Sequence, residues 1–137
     1  MHYWLLKTEP ETFSFDDLVA CGAAGDTWDG VRNHQAAGFM RDMAVGDQGL
    51  CYHSGRERRV VGTFEVTRAS YPDPSDPSGR FVAVTVRALA RLPRPVSLAT
   101  VKAQPGLADF ALVRQPRLSV MPVDAATWRT LLRLAAA

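Results

Sequence analysis

Gln48–Leu89 reads QGLCYHSGRERRVVGTFEVTRASYPDPSDPSGRFVAVTVRAL, and three strands are legible in it: Gln48–Ser54, Arg59–Thr67 and Arg80–Leu89. In the second, Val60, Phe64 and Val66 alternate with Thr63, Glu65 and Thr67, the period of a half-buried antiparallel strand. The third sets Val82, Val84 and Val86 on one face and Phe81, Ala83 and Thr85 on the other, which predicts burial on both sides. Between them, Tyr71–Gly79 holds too much proline and glycine for regular structure and is expected to be an exposed connection.

The flanks of this block read as short helices and strands. Upstream, Tyr3–Lys7 is aromatic and aliphatic, a strand ended by Glu9-Pro10. Ser14 with Asp17 three residues on is a capping box for a brief helix running to Gly22, and Gly22–Asp26 is expected to be loop. Asn33 caps a second helix through Met43, where Ala36, Phe39, Met40 and Met43 recur at helical spacing. Downstream, Ser97 caps Leu98–Ala103, Asp109–Val113 suits another helical turn, and Leu118–Val123 suits an edge strand because of its proline. Asp124 caps the last helix, with Trp128, Leu131, Leu132 and Ala135 as its apolar stripe and Arg129 and Arg133 opposite. Strands grouped apart from helices, without βαβ alternation, predict a small α+β domain built on a curved antiparallel sheet or barrel.

The chain has 137 residues, 47% hydrophobic and 22% charged, so residues 1–137 are expected to form a single domain with an adequate core. No apolar run approaches the roughly 20 residues of a membrane span. The start Met1-His2-Tyr3-Trp4 lacks the features of a signal peptide, and a cytoplasmic protein with no membrane partner is expected. Cys21 and Cys51 have no metal-ligand spacing. Sixteen basic and 14 acidic residues leave a net charge of +2, too little to identify a nucleic-acid binder. The distribution is less even: residues 9–29 carry six acidic side chains and no basic one, whereas residues 87–117 carry Arg87, Arg91, Arg94, Lys102, Arg114 and Arg117 against Asp109 alone. That second stretch could form a basic face for phosphates, but an arginine excess of coding origin is the favoured reading, because motif and surface geometry rather than totals mark a binding face.

Catalytic readings are thin. His53 and Ser54 are neighbours in a strand, pointing to opposite faces, and cannot form a dyad. No HxxH or HExxH surrounds His2 or His34, and no phosphate-binding or dinucleotide fingerprint is present, so no metal and no cofactor is expected. Lys7-Thr8-Glu9 contains an amine, a hydroxyl and a carboxylate, but a strand end with a structural ion pair explains it as well, and no oxyanion donor can be placed.

A binding constellation is richer. Trp28 stands in the polar run Thr27-Trp28-Asp29-Gly30-Val31-Arg32-Asn33, read as a loop entering a helix. Tyr52-His53-Ser54 ends a strand just before Arg56, Arg58 and Arg59, and Arg117-Leu118-Ser119-Val120 again brings arginine and serine to a strand entrance. Trp28 as a stacking platform, Asn33 and Ser54 as readers of a base edge and Arg117 as a phosphate clamp would make a base pocket. Alternatively, Trp28 is a core anchor and the polar residues satisfy loop backbone.

Taken together, Tyr3-Trp4-Leu5-Leu6-Lys7-Thr8-Glu9-Pro10, Trp28–Asn33, Gly46-Asp47, Tyr52-His53-Ser54, Tyr71-Pro72-Asp73-Pro74 and Arg117–Val123 resemble the EVE domain family, in order and through nearly the whole chain. Thr8 departs from the serine usual in the family motif and keeps the hydroxyl. The resemblance implies a PUA-like pseudobarrel of mainly antiparallel strands decorated by short helices, related to YTH and ASCH domains. It further implies a non-enzymatic reader that flips a modified base, such as a methylated or oxidised cytosine in DNA or RNA, into an aromatic pocket. Restriction or modification enzymes are the implied partners. On that analogy the base would meet Trp28, Val31, Arg32, Asn33, Tyr52, His53, Ser54, Leu118 and Ser119, with Trp4 and Lys7 at the edge, and phosphates would meet Arg56, Arg58 and Arg117. The alternative is an ASCH-like small hydrolase of modified nucleosides, although adjacent Lys7-Thr8-Glu9 does not reproduce a spaced catalytic set.

Overall fold

Strand β1, Tyr3–Thr8, runs parallel to β3, Gln48–His53, on one side and antiparallel to β6, Val120–Val123, on the other. The computed structural model describes residues 1–136. The sheet continues from β3 into β4, Arg59–Pro72, and β5, Val82–Ser97, and ends at β2, Asp26–Trp28, giving the order β2-β5-β4-β3-β1-β6. All neighbours except β1 and β3 are antiparallel. Parallel strands need a crossover, and here residues 9–47 supply it with two helices and β2.

Helix α1, Phe15–Ala20, starts with the expected box: Ser14 accepts from the Asp17 amide and Asp17 accepts from the Ser14 amide. Helix α2, His34–Asp42, is capped by Asn33, whose Oδ1 accepts from the Ala36 amide at 2.9 Å, and it buries Ala36, Ala37 and Met40. Helix α3, Leu98–Ala103, and helix α5, Ala125–Leu134, begin at Ser97 and Asp124. Between them lie a 3-10 turn and the short helix α4, Ala111–Arg114.

The core fills the space between sheet and helices with Leu5, Leu6, Phe15, Leu18, Met40, Leu50, Phe64 and Met121 among its most buried side chains. Two glycines make room for rings: a Cβ at Gly62 would strike Phe15, and one at Gly49 would strike Phe64. Tyr3 stacks on Trp128 at 4.1 Å, fastening α5 to β1.

Several expectations are corrected. Strands β4 and β5 run well past Thr67 and Leu89: Arg68, Tyr71 and Pro72 pair with Thr85, Ala83 and Val82, and at the other end four β5 residues, Leu92–Pro95, bulge between the pairs Val60–Val96 and Gly62–Arg91, absorbing Pro93 and Pro95 without ending the ladder. The stretch Gly22–Asp26 is a 3-10 turn leading into β2, and Trp28 is the last residue of that strand rather than a loop residue. The proline-rich connection is not wholly exposed, since Asp73 is buried in it. In α5, Leu132 is 37% exposed and Thr127 takes the inward place. The basic stretch is largely spent on partners: Arg87 pairs with Glu65, Arg91 with Asp16 and Arg114 with Asp109, while Arg94 donates to the Ala136 carbonyl. Both cysteines are free, and burial pushes the Cys51 thiol up to about 12.

Candidate nucleic-acid interface

A cavity of about 490 Å³ opens where β1 ends. Such a volume lies within the ~300–1,000 Å³ typical of small-ligand sites. Lys7, Thr8 and Glu9 leave β1 along one side, Thr12 and Phe13 come from the turn before α1, and Ser119 precedes β6. The other side is β2 and the loop after it, Asp26 to Arg32. Trp28, only 8% exposed, meets Phe13 edge-on at 6.0 Å, so two aromatic rings form one corner of the cavity.

Hydrogen bonds fix the β1 side. The Thr8 hydroxyl donates to the Phe13 carbonyl at 2.7 Å, and the Thr8 carbonyl accepts from both the amide and the hydroxyl of Ser54. Lys7 Nζ donates to the Pro116 carbonyl at 2.9 Å and lies 5.6 Å from the centre of the Tyr52 ring. Burial lowers the Lys7 pKa, because its charge is partly removed from water.

The Trp28 side is held from behind by β4 and the connection after it. Tyr71 Oη bonds to Thr27 Oγ1 and Thr85 Oγ1. Asp73 accepts from the Gly30 amide and Arg32 Nη1, each at 2.9 Å, and from the amide and hydroxyl of Ser75. Burial alone would raise the Asp73 carboxyl, but these donors outweigh it and hold the pKa at about 2. Carboxylates outnumber cations in the cavity: Glu9, Asp26 and Asp29 stand against Lys7 and Arg32, and Arg32 is already paired.

Of the residues singled out in the sequence, the fold brings Lys7, Trp28, Val31, Arg32 and Ser119 to this cavity. Tyr52 lies beneath Lys7 and Ser54 braces Thr8, so both stand behind its wall. The others lie elsewhere. Trp4 is buried at the opposite end of β1, its indole N–H donating to Asp47 at 3.0 Å. His53 Nε2 accepts from the Phe15 amide at the start of α1, which puts the ring proton on Nδ1, where it is donated to Glu57. Asn33 spends its carbonyl on the α2 cap and borders a separate cleft with Arg117 and the buried Leu118. Arg56 and Arg58 share another cleft with Lys102. The sequence reading weighed Thr8 and Glu9 only as catalytic candidates and missed Phe13, Thr12, Asp26 and Asp29. The signal was weak: Phe13 precedes the Ser14 cap, a place where an apolar residue ordinarily staples the helix start.

The family model for the EVE domain matches residues 2–134. The chain belongs to the EVE domain family. A Rhodopseudomonas palustris structure is 48% identical to this EVE domain and covers 98% of it and 93% of its own chain, with a TM-score of 0.93. Thymocyte nuclear protein 1 of Danio rerio is 34% identical, over 96% of this chain and 71% of the relative. The human THYN1 protein, solved in complex with DNA containing 5-methylcytosine, is 28% identical with a TM-score of 0.92, covering 100% of this chain and 99% of its own. The fold of this EVE domain is accordingly PUA-like, a six-stranded, mostly antiparallel sheet with short helices.

Proposed function

We propose that this EVE domain reads a modified base in DNA, taking one unstacked nucleobase into the cavity at the end of β1. The observation that carries the reading is the aromatic corner of Trp28 and Phe13 in a nucleoside-sized cavity, in a fold shared with a human relative solved on 5-methylcytosine DNA. The charge balance supports the same division of labour. A cavity with Glu9, Asp26 and Asp29 on its walls repels a phosphate but accepts the exocyclic amino donor of a cytosine-type base. Phosphates would stay outside, on Arg56 and Arg58 with Lys102 in one cleft and on Arg117 in another. Flipping costs a few kcal/mol, offset by stacking worth about 1–3 kcal/mol on an aromatic face.

Binding without turnover is the reading we favour, because the groups a hydrolase would use are committed. Thr8 Oγ1 donates to Phe13 and Lys7 Nζ to Pro116, and the two do not bond each other. The test is a titration of matched DNA oligonucleotides carrying cytosine or 5-methylcytosine at one position, at fixed salt, with product analysis of the same mixtures. Tighter binding of the methylated oligonucleotide, with the base recovered intact, is expected. Equal affinity for the two, or conversion of the base, would overturn the reading.

A further inference from the structure

The connection Asp73–Phe81 reaches the cavity without lining it. Its two aspartates are built alike and differ in one respect. Asp76 accepts from the amide and hydroxyl of Ser78 and from the amides of Arg80 and Phe81, so all of its bonds stay within the connection. Asp73 shares the local pattern with Ser75, but it also crosses to the cavity wall, holding the Gly30 amide and Arg32 Nη1. Gly30 sits at φ 77, and its amide has no ladder partner, because β2 ends at Trp28. Arg32 is fixed further by Ser75 Oγ and lies 5.4 Å from the centre of the Phe81 ring. The connection itself is tied to α2 by Arg41, which donates to the Arg80 carbonyl at 2.9 Å, and by His34 stacked on Phe81.

We propose that Asp73 is a positioning residue for base recognition: its carboxylate sets the Trp28–Arg32 wall of the cavity, and Arg32 serves as a strut of that wall rather than as a free cation for phosphate. The proposal rests on the base-binding reading. Its physical basis is that β2 contributes only three ladder pairs, Asp26 with Val86, Thr27 with Thr85 and Trp28 with Val84, after which the wall leaves the sheet. Tyr71 grips Thr27 and Asp73 grips Gly30 and Arg32, so two side chains on one stretch of chain carry the wall past the point where the sheet stops supporting it. A preorganised wall matters for a stacking site because a small displacement forfeits ring overlap.

The test compares Asp73→Asn with Asp76→Asn, which removes an equally hydrogen-bonded carboxylate from the same connection without touching the wall. Two measurements are made on each folded variant. Amide exchange without DNA should quicken at Gly30 in Asp73→Asn, while Val84–Val86 stay protected in both. With the cytosine and 5-methylcytosine oligonucleotides, Asp73→Asn should lose affinity for the methylated one by about ten-fold, the scale of a lost stacking contact. The unmethylated affinity and salt slope should hold, and Asp76→Asn should bind as the parent does. Unchanged exchange at Gly30, unchanged preference in Asp73→Asn, or equal losses in the two variants would overturn the proposal. If the parent protein shows no preference at all, the base-binding reading fails separately, and the exchange result alone decides whether Asp73 holds the wall.

Discussion

The two ends of β1 meet the same problem, a large aromatic beside polar groups that need partners, and resolve it in different ways. At the start, Asp47 is buried and accepts from the Trp4 indole, the His2 amide and the Ala44 amide, which fixes the Trp4 ring in place. Burial would raise the Asp47 carboxyl, but the Ala44, Trp4 and His2 donors lower it overall. At the finish, Trp28 is nearly as buried as Trp4, 8% against 5% exposed, but its indole N–H has no hydrogen-bond partner among the described residues and its ring lines the cavity beside Phe13. Burial therefore does not separate the two tryptophans, and neither does adjoining space, since Trp4 borders a cleft of about 440 Å³ with His2 and Phe110; the fate of the ring N–H does.

The comparison is most strongly tested by Asp47→Ala. Leaving three donors without their acceptor should cost about 3 kcal/mol or more of stability in urea denaturation, with affinity measured on the folded fraction unchanged. A variant as stable as the parent would show that this end is not held by Asp47. Trp28→Ala should do the reverse in kind, weakening the methylated oligonucleotide by about 1–3 kcal/mol, five-fold to a hundred-fold. Because the ring is also packed on Phe13, Trp28→Phe serves as the partner variant, and it should retain most of the stability and part of the affinity. Unaltered affinity in both would remove the distinction between the two ends.

Acid treatment sharpens the comparison further. Asp73 is held at about 2, below its ordinary value of 3.8, so its contribution is fully present above about pH 4 and is lost as pH falls toward 2. By linkage this amounts to ~2 kcal/mol, read as a falling unfolding midpoint between those limits. In Asp73→Asn that segment of the profile should flatten.

Asn33→Ala should lower stability by about 1 kcal/mol, a few degrees in Tm, and leave the preference among bases unchanged. The sequence reading made Asn33 a base reader, whereas its carbonyl is used on Ala36; a lost preference would restore the first role. The smallest effects belong to Arg56→Ala and Arg117→Ala. Each should reduce affinity a few-fold, equally for methylated and unmethylated DNA, and lower the salt slope by about one.

The helix starts were the most legible part of the fold, because a cap is a local chemical event: Ser14, Asn33, Ser97 and Asp124 each cap the helix expected of them. What escaped the sequence depends on long-range pairing. Strand β2 has three residues and exists only because Val84–Val86 offer it a ladder, so nothing in Asp26–Trp28 announces it. Asp73 looks like a turn residue among prolines, and its burial follows from Gly30 and Arg32, some forty positions upstream. In the cavity, aromatic type and motif pointed to Trp28, but a strand end spreads its neighbours. His53 and Ser54 are adjacent in sequence, yet one supports α1 and the other Thr8.

The arrangement of strand lengths carries a consequence for behaviour at high concentration. The longest strands, β4 and β5, lie inside the sheet, while its margins are β2, with three residues, and β6, with four, one of them Pro122, which has no N–H to offer. The outer side of β5 beyond Val86 is marked by Arg87, Arg91, Pro93, Arg94 and Pro95, and part of it is occupied by the Arg94 amide bonding to the Ala135 carbonyl. Charges, prolines and short edges deny an incoming strand a template, so the sheet of one molecule gives another little to add to, and growth into fibrils is blocked at both margins.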